Sequence, residues 1–101
     1  MPRIELARTA VEDIDRLVAV LSLPDDTRRR VRRSLAPLAN HPLLGSELSG
    51  RWEGFRFLLG PWRWMILVYV YEQLADRVVV LTVQDARSST AATGQRGSRF
   101  E

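Results

Sequence analysis

Residues 48–87 read LSGRWEGFRFLLGPWRWMILVYVYEQLADRVVVLTVQDAR, and this stretch decides the fold. Its apolar runs are short, rich in β-branched and aromatic residues, and broken by Gly60-Pro61 and by the polar segment 72–76. That pattern predicts three strands of one antiparallel meander, over residues 52–59, 63–71 and 77–84. The middle run is apolar almost throughout and should be the central strand. A period of two places Arg63, Met65, Leu67, Tyr69 and Tyr71 on one face and Trp64, Ile66, Val68 and Val70 on the other. Arg51, Arg56, Arg63 and Arg87 are not needed for a core, so their presence here points to an anionic partner.

Upstream, Arg3 to Leu6 is a further strand candidate. Thr9-Ala10-Val11-Glu12 matches a capping box, in which Thr9 accepts from the amide at Glu12 and Glu12 reaches back. Val11, Ile14, Leu17, Val18 and Leu21 then recur at helical spacing, and this helix should end near Ser22. Pro24-Asp25-Asp26 opens a second helix, with Pro near its first position and acids in its first turn. Val31, Leu35 and Leu38 form its apolar stripe, and Pro37 with His41-Pro42 stops it. The link between the helices is short, so they form an antiparallel hairpin. The order is strand, helical hairpin, three-strand antiparallel meander, an α+β domain with helices packed on one face of the sheet. We expect one domain over residues 1–87 and a polar tail over 88–101, flexible unless a partner orders it.

Composition narrows the function classes. The 101 residues are 46% hydrophobic and 27% charged, as in an ordinary globular domain. No cysteine is present, which removes disulfides and thiolate metal sites. No secretory leader pattern is visible at the start, and the longest apolar run is too short to span a bilayer as a helix, so a cytoplasmic location is expected. The formal charge is +3, and all 15 basic residues are arginine. A GC-rich codon bias is one alternative explanation for the missing lysine, but it does not explain where the arginines sit. Guanidinium groups suit two-pronged contact with phosphate or carboxylate. The densest run, Arg28 to Arg33, is either a solvated helix face or a contact for RNA, DNA or an acidic partner segment, with Arg29 and Arg33 pointing away from the apolar stripe. Trp64 is expected in the core beside Ile66 and Val68. Trp62, next to a turn, is a candidate partner contact. No phosphate loop, zinc spacing or catalytic triad is found, and no cofactor or metal is expected.

With this order in view, the sequence resembles the RelE/ParE superfamily of bacterial type II toxins. The resemblance rests on an ordered set over about residues 3–88: Leu48 and Gly50 before the first meander strand, Arg56 within it, Gly60 and Trp62-Arg63 at the start of the central strand, Tyr69 further along it, and Arg87 after the last strand. It implies a small growth-inhibiting toxin held inactive by a cognate antitoxin, whose helix or extended segment covers the hairpin and sheet. RelE-type members are ribosome-dependent endoribonucleases that act on messenger RNA. On that pattern Arg56, Arg63 and Arg87 take the catalytic positions; beside them Arg51, Arg29 and Arg33 are expected to bind RNA, and Trp62 and Tyr69 to meet a partner. ParE-type members lack the nuclease set and inhibit DNA gyrase. This chain has no lysine, and no Tyr or His follows Arg87. A third reading is a non-toxic module whose partner is the antitoxin alone. A guanidinium is a poor base, so the base for RNA cleavage would have to be Glu53, Asp85, Tyr69 or His41.

Overall fold

The structure is a computed structural model that describes residues 1–93. Strand β1 (Arg3–Leu6) leads directly into helix α1 (Arg8–Leu21). Helix α2 (Thr27–Leu35) follows and tightens into a 3₁₀ turn, Ala36–Ala39. Strands β2 (Ser46–Glu47), β3 (Arg56–Leu59), β4 (Met65–Glu72) and β5 (Arg77–Asp85) complete the chain, with a second 3₁₀ turn at Gly50–Trp52. The α+β class and the helical hairpin agree with the sequence reading, but the sheet is not a purely antiparallel meander. It has five strands in the order β1-β5-β4-β3-β2. β1 lies parallel to β5, with Arg3 opposite Arg77 and Leu6 opposite Val80. The long connection between them, two helices and then β2, β3 and β4, supplies the crossover that a parallel pairing requires.

The helix boundaries differ from the expected ones for a local reason. The Ala7 amide donates to the Val80 carbonyl at 2.9 Å, so the β1 ladder runs to the first turn of α1. The helix therefore begins ahead of the Thr9 capping box, and no side chain caps it. Its end is as read: Ser22 takes the left-handed conformation, φ 53°, and the helix stops there. At α2, Asp26 is the capping position rather than the first turn. Thr27 is buried and its hydroxyl donates to the Pro24 carbonyl at 2.5 Å, closing the preceding turn. Arg28 grips Asp15 with Nη2 to Oδ2 at 2.6 Å and Nε to Oδ1 at 3.1 Å, tying α2 back to α1.

The larger core lies between helices and sheet: Ala10 and Ile14 from α1, Val31 and Leu35 from α2, Leu38, and Met65, Leu67, Tyr69, Val78, Val80 and Val83 from the sheet. The β4 alternation is as expected. On β5 the register jumps from Val68–Thr82 to Tyr69–Val80, leaving Leu81 as the extra residue of a bulge. The bulge lets Val78, Val80 and Val83 all face the helices although their spacing is not strictly two.

Beyond Val80, β5 has no β1 partner, and α1 covers it differently. Asp13 is 6% exposed and accepts from the Val83 amide at 3.1 Å, from the Thr82 hydroxyl and from Arg16. A carboxylate thus satisfies the sheet edge that no strand covers.

The opposite face of the sheet is also apolar. Leu48, Ile66, Val68, Ala91 and Ala92 cluster there, flanked by Trp52, Phe55, Phe57 and Ala86. Residues 88–93, read from the sequence as the start of the tail, fold back onto this face. The Ala92 amide donates to Gln84 Oε1 at 2.7 Å. Residues 94–101 of that tail lie outside the described residues. The expected strand over residues 52–59 is shorter because Gly50 (φ 67°) and Gly54 (φ 93°) turn the chain before Arg56.

Candidate functional site

The turn between β3 and β4 gathers the most unusual side chains. It closes tightly: the Gly60 amide donates to the Met65 carbonyl at 2.8 Å, and the Met65 amide to the Trp62 carbonyl at 3.0 Å. A Cβ on Gly60 would stand 2.9 Å from Met65 Sδ, so a larger residue would disturb the turn. Arg63 projects from it, exposed and without a partner among the described residues. The Ala86 amide donates to the Trp64 carbonyl at 2.6 Å, which brings the end of β5, and with it Arg87, to the same place.

Four planar groups stack there in series. The Arg30 guanidinium of α2 lies 6.0 Å from the Trp62 ring centre. Trp62 and Trp64 are stacked at 6.0 Å with 12° between their planes. The Arg87 guanidinium lies 4.8 Å from the Trp64 ring. Cation–π attraction contributes on the order of 0.5–1 kcal/mol per contact at exposed sites, so the column joins α2 to the end of the sheet while keeping its edges in solvent. Trp64 precedes β4, so the strand alternation that assigned it to the Ile66 face does not apply to it.

Arg87 does not stand free. Asp85 receives Nε at 2.9 Å on Oδ1, Nη2 at 2.8 Å on Oδ2, and the Arg87 backbone amide at 2.9 Å. The hydrogen bond from the Arg87 side chain holds the Asp85 carboxyl below its ordinary range, and the same bond raises the guanidinium.

The remaining predicted residues separate. Arg56 pairs across the sheet with Tyr69, three positions along β3 from the Leu59–Ile66 pair that ends the ladder. At the usual rise per residue that is roughly 10 Å from the turn. Its fork is used internally, Nη1 donating to the Gly45 carbonyl at 2.8 Å and the Leu43 carbonyl at 3.2 Å, and Nη2 to Glu47 at 3.2 Å. Arg56, Arg63 and Arg87 are therefore not one constellation: the last two share the sheet end, and Arg56 holds the loop before β2.

Tyr69, expected to meet a partner, is fully buried. Its hydroxyl donates to the Pro42 carbonyl at 2.9 Å and accepts from the Gly45 amide at 2.8 Å. Burial pushes the phenol above its usual value, against the smaller opposing effects of the Gly45 bond and the Arg56 charge. Trp62 is half-buried in the column. Arg29 and Arg33 are exposed on α2 and have no acidic partner among the described residues. Arg51 sits at the rim of the opposite face, beside Trp52, Ser89, Thr90 and Ala91.

The supply of a base is poor. Glu53 lines a different pocket with Glu47 and Arg56, and His41 lies in the loop near Pro42 and Leu44. Tyr69 is buried, and Asp85 is the one candidate at the sheet end, where Arg87 suppresses its basicity. The arrangement suits binding of an anion beside an aromatic surface better than proton abstraction. Among the described residues no cluster of three or more His, Asp or Glu could hold a metal ion, and no helix is long and apolar enough to cross a membrane.

Sequence reasoning missed Arg30 and Trp64 as members of this site, and named Asp85 only as a candidate base, not as the partner of Arg87. Asp85 and Arg87 carried a usable signal, since residues two apart in an extended segment point the same way. Arg30 carried none, because its approach to Trp62 depends on how α2 lies on the sheet.

No protein-family model matches the sequence, and a search of curated proteins finds no match. Solved structures do match in shape. The toxin–antitoxin complex RelBE2 of Mycobacterium tuberculosis contains a chain with TM-score 0.57 and 21% identity, covering 84% of this chain and 99% of that one. The intact RelBE toxin–antitoxin complex of E. coli gives TM-score 0.64 and 14% identity, covering 87% and 100%. The chromosomal ParDE system of P. aeruginosa gives TM-score 0.63 and 14% identity, covering 86% and 98%. At these identities the likeness concerns architecture, and on that ground the chain has a fold of the RelE/ParE type.

Proposed function

We propose that this chain is the toxin of a type II toxin–antitoxin pair, and that it inhibits growth by binding RNA of the translation machinery through the sheet end bearing Trp62, Arg63, Trp64 and Arg87. The observation that carries this reading is the Arg30–Trp62–Trp64–Arg87 column, with Arg63, which has no partner among the described residues, projecting from the same turn. Flat aromatic faces between fixed positive charges are what single-stranded nucleic acid offers partners for: bases that stack and phosphates that need cations. Arg29 and Arg33 extend the positive surface over α2. The toxin acts in the cytoplasm, where ribosomes are, and needs no cofactor.

The cognate antitoxin covers the exposed apolar surface at the opposite end of β4, where Tyr71 lies. Leu43 and Leu44 are 58% and 54% exposed, in a shallow groove shared with Asn40, His41, Pro42 and Tyr71. Exposed apolar patches of this kind mark interaction surfaces.

A second reading, inhibition of DNA gyrase without nuclease activity, draws support from one observation. The forks of Arg56 and Arg87 are both occupied by the protein's own oxygens. Induced expression separates the readings. Growth arrest with halted protein synthesis, relieved by Arg63→Ala, supports the RNA reading. Arrest with DNA-damage signalling and continuing synthesis supports gyrase. Unaffected growth leaves an antitoxin-binding module without toxicity.

A further inference from the structure

We propose that the cleft between α2 and the β3–β4 turn is a phosphate subsite for single-stranded RNA, with the adjoining base stacked on Trp62. The proposal rests on the RNA reading and extends it to residues on α2. The cleft holds about 240 Å³ and is lined by Arg30, Arg33, Ser34 and Pro61. Arg30 and Arg33 are three apart on one helix face, so their guanidinium groups are neighbours of like charge. Asp26 takes only Arg30 Nε, at 2.9 Å, and both Nη nitrogens remain without a partner among the described residues. Arg33 has none at all among them. Two guanidinium groups lining one cleft, with a single carboxylate that meets Arg30 alone, leave positive charge that an anion in the cleft would neutralise.

The second component is the indole beside it. Trp62 is backed on one side by Trp64, while Arg30 lies at 6.0 Å, the outer limit of cation–π contact. A base displacing so loose a lid would gain a stacking surface already held by the Trp64 ring behind it. The cleft is smaller than the roughly 300 Å³ at which small-molecule pockets begin. It suits one unit of a longer strand running toward Arg63 better than a free metabolite.

The test uses the purified full chain, a labelled short oligouridylate, and an abasic ribose–phosphate strand with the same number of phosphates. Affinity is measured by anisotropy across a salt series. Arg33→Ala is expected to lower the slope of log affinity against log salt by about 0.7, the value for one phosphate contact on a single strand. Arg3→Ala, at the far end of the sheet, carries the same charge change and should leave the slope alone. Wild type should prefer the base-bearing strand. Trp62→Leu should weaken binding of that strand about fivefold or more and remove the preference. If Arg33→Ala and Trp62→Leu match wild type while Arg63→Ala loses binding, the subsite is wrong and the RNA reading stands. If wild type binds neither strand, the RNA reading itself falls. If a poly-glutamate peptide binds as tightly as the oligouridylate and loses as much from Arg33→Ala, the cleft receives acidic protein segments instead.

Discussion

Asp85 and Arg87 form a two-pronged ion pair, Nε to Oδ1 at 2.9 Å and Nη2 to Oδ2 at 2.8 Å, directly beside the Trp64 ring. The carboxylate occupies the fork that a phosphate would use. On the proposed RNA reading, the strand has to draw Arg87 away from Asp85 or approach it from its free edge. Asp85→Asn is expected to tighten oligonucleotide binding and to steepen its salt dependence by about 0.7 in the log–log slope. Glu12→Gln, which makes the same charge change on an exposed part of α1, should leave the slope unchanged. Equal slopes for wild type and Asp85→Asn would show that Arg87 never meets phosphate.

The same pair fixes a pH range. The Asp85 carboxyl is held below its ordinary value, chiefly by the Arg87 hydrogen bond. A carboxylate depressed on folding contributes stability that is present above its unfolded pKa and is lost as pH falls through the folded one. The pair should therefore remain intact from pH 8 down to about 4. Carbon-detected NMR titration of Asp85 checks this, and a midpoint above 4 would contradict it.

Tyr69→Phe removes one hydroxyl and strands the buried Gly45 amide and the half-buried Pro42 carbonyl. The expected cost is about 1–3 kcal/mol in denaturant unfolding. The Tyr69 phenol is raised above 10.0 by burial. A raised group contributes stability below its unfolded pKa that is lost as pH rises through the folded one. Wild type should lose stability above about pH 10, and Tyr69→Phe should show less of that loss. Ultraviolet titration of phenolate against unfolding follows both.

Gly45→Ala should be poorly tolerated. Its Cβ would stand 2.6 Å from the Phe57 carbonyl oxygen and 2.7 Å from the Tyr69 ring. Overpacking of this kind costs about 1–3 kcal/mol, and a thermal melt at or above the wild-type midpoint would contradict the geometry.

Asp13→Ala should be among the most damaging changes on α1. It leaves the buried Val83 amide and Thr82 hydroxyl without partners. An unsatisfied buried group costs about 1–3 kcal/mol. Hydrogen exchange at Val83 should accelerate more than exchange at Val78, whose strand keeps its β1 neighbour.

Much of the fold was legible because it depends on local pattern. The apolar period of β4, the Gly60-Pro61 turn, the Ser22 stop of α1 and the Val31–Leu35–Leu38 stripe are all set by neighbours in the chain. The parallel pairing of β1 with β5 was not, since Arg3 and Arg77 are far apart in sequence and nothing local in either names the other. β2 is two residues long and carries no alternation. The site was legible in part. Arg63 and Arg87 lie at the same end of the sheet, brought there by the Ala86–Trp64 backbone bond. Arg56 and Tyr69 matched a pattern of residue types, yet the loop before β2 uses both: one guanidinium and one phenol satisfy its carbonyls and the Gly45 amide. Residue type told what each group could bind and not whether the protein had already supplied it.

The central claim is that the sheet end acts on translation. The most direct measurement adds purified protein to a reconstituted translation reaction, beside a gyrase supercoiling assay at the same concentrations. The account predicts that wild type halts synthesis, that Arg63→Ala and Trp62→Leu restore it while remaining folded, and that supercoiling proceeds. Unimpaired translation with blocked supercoiling would contradict it.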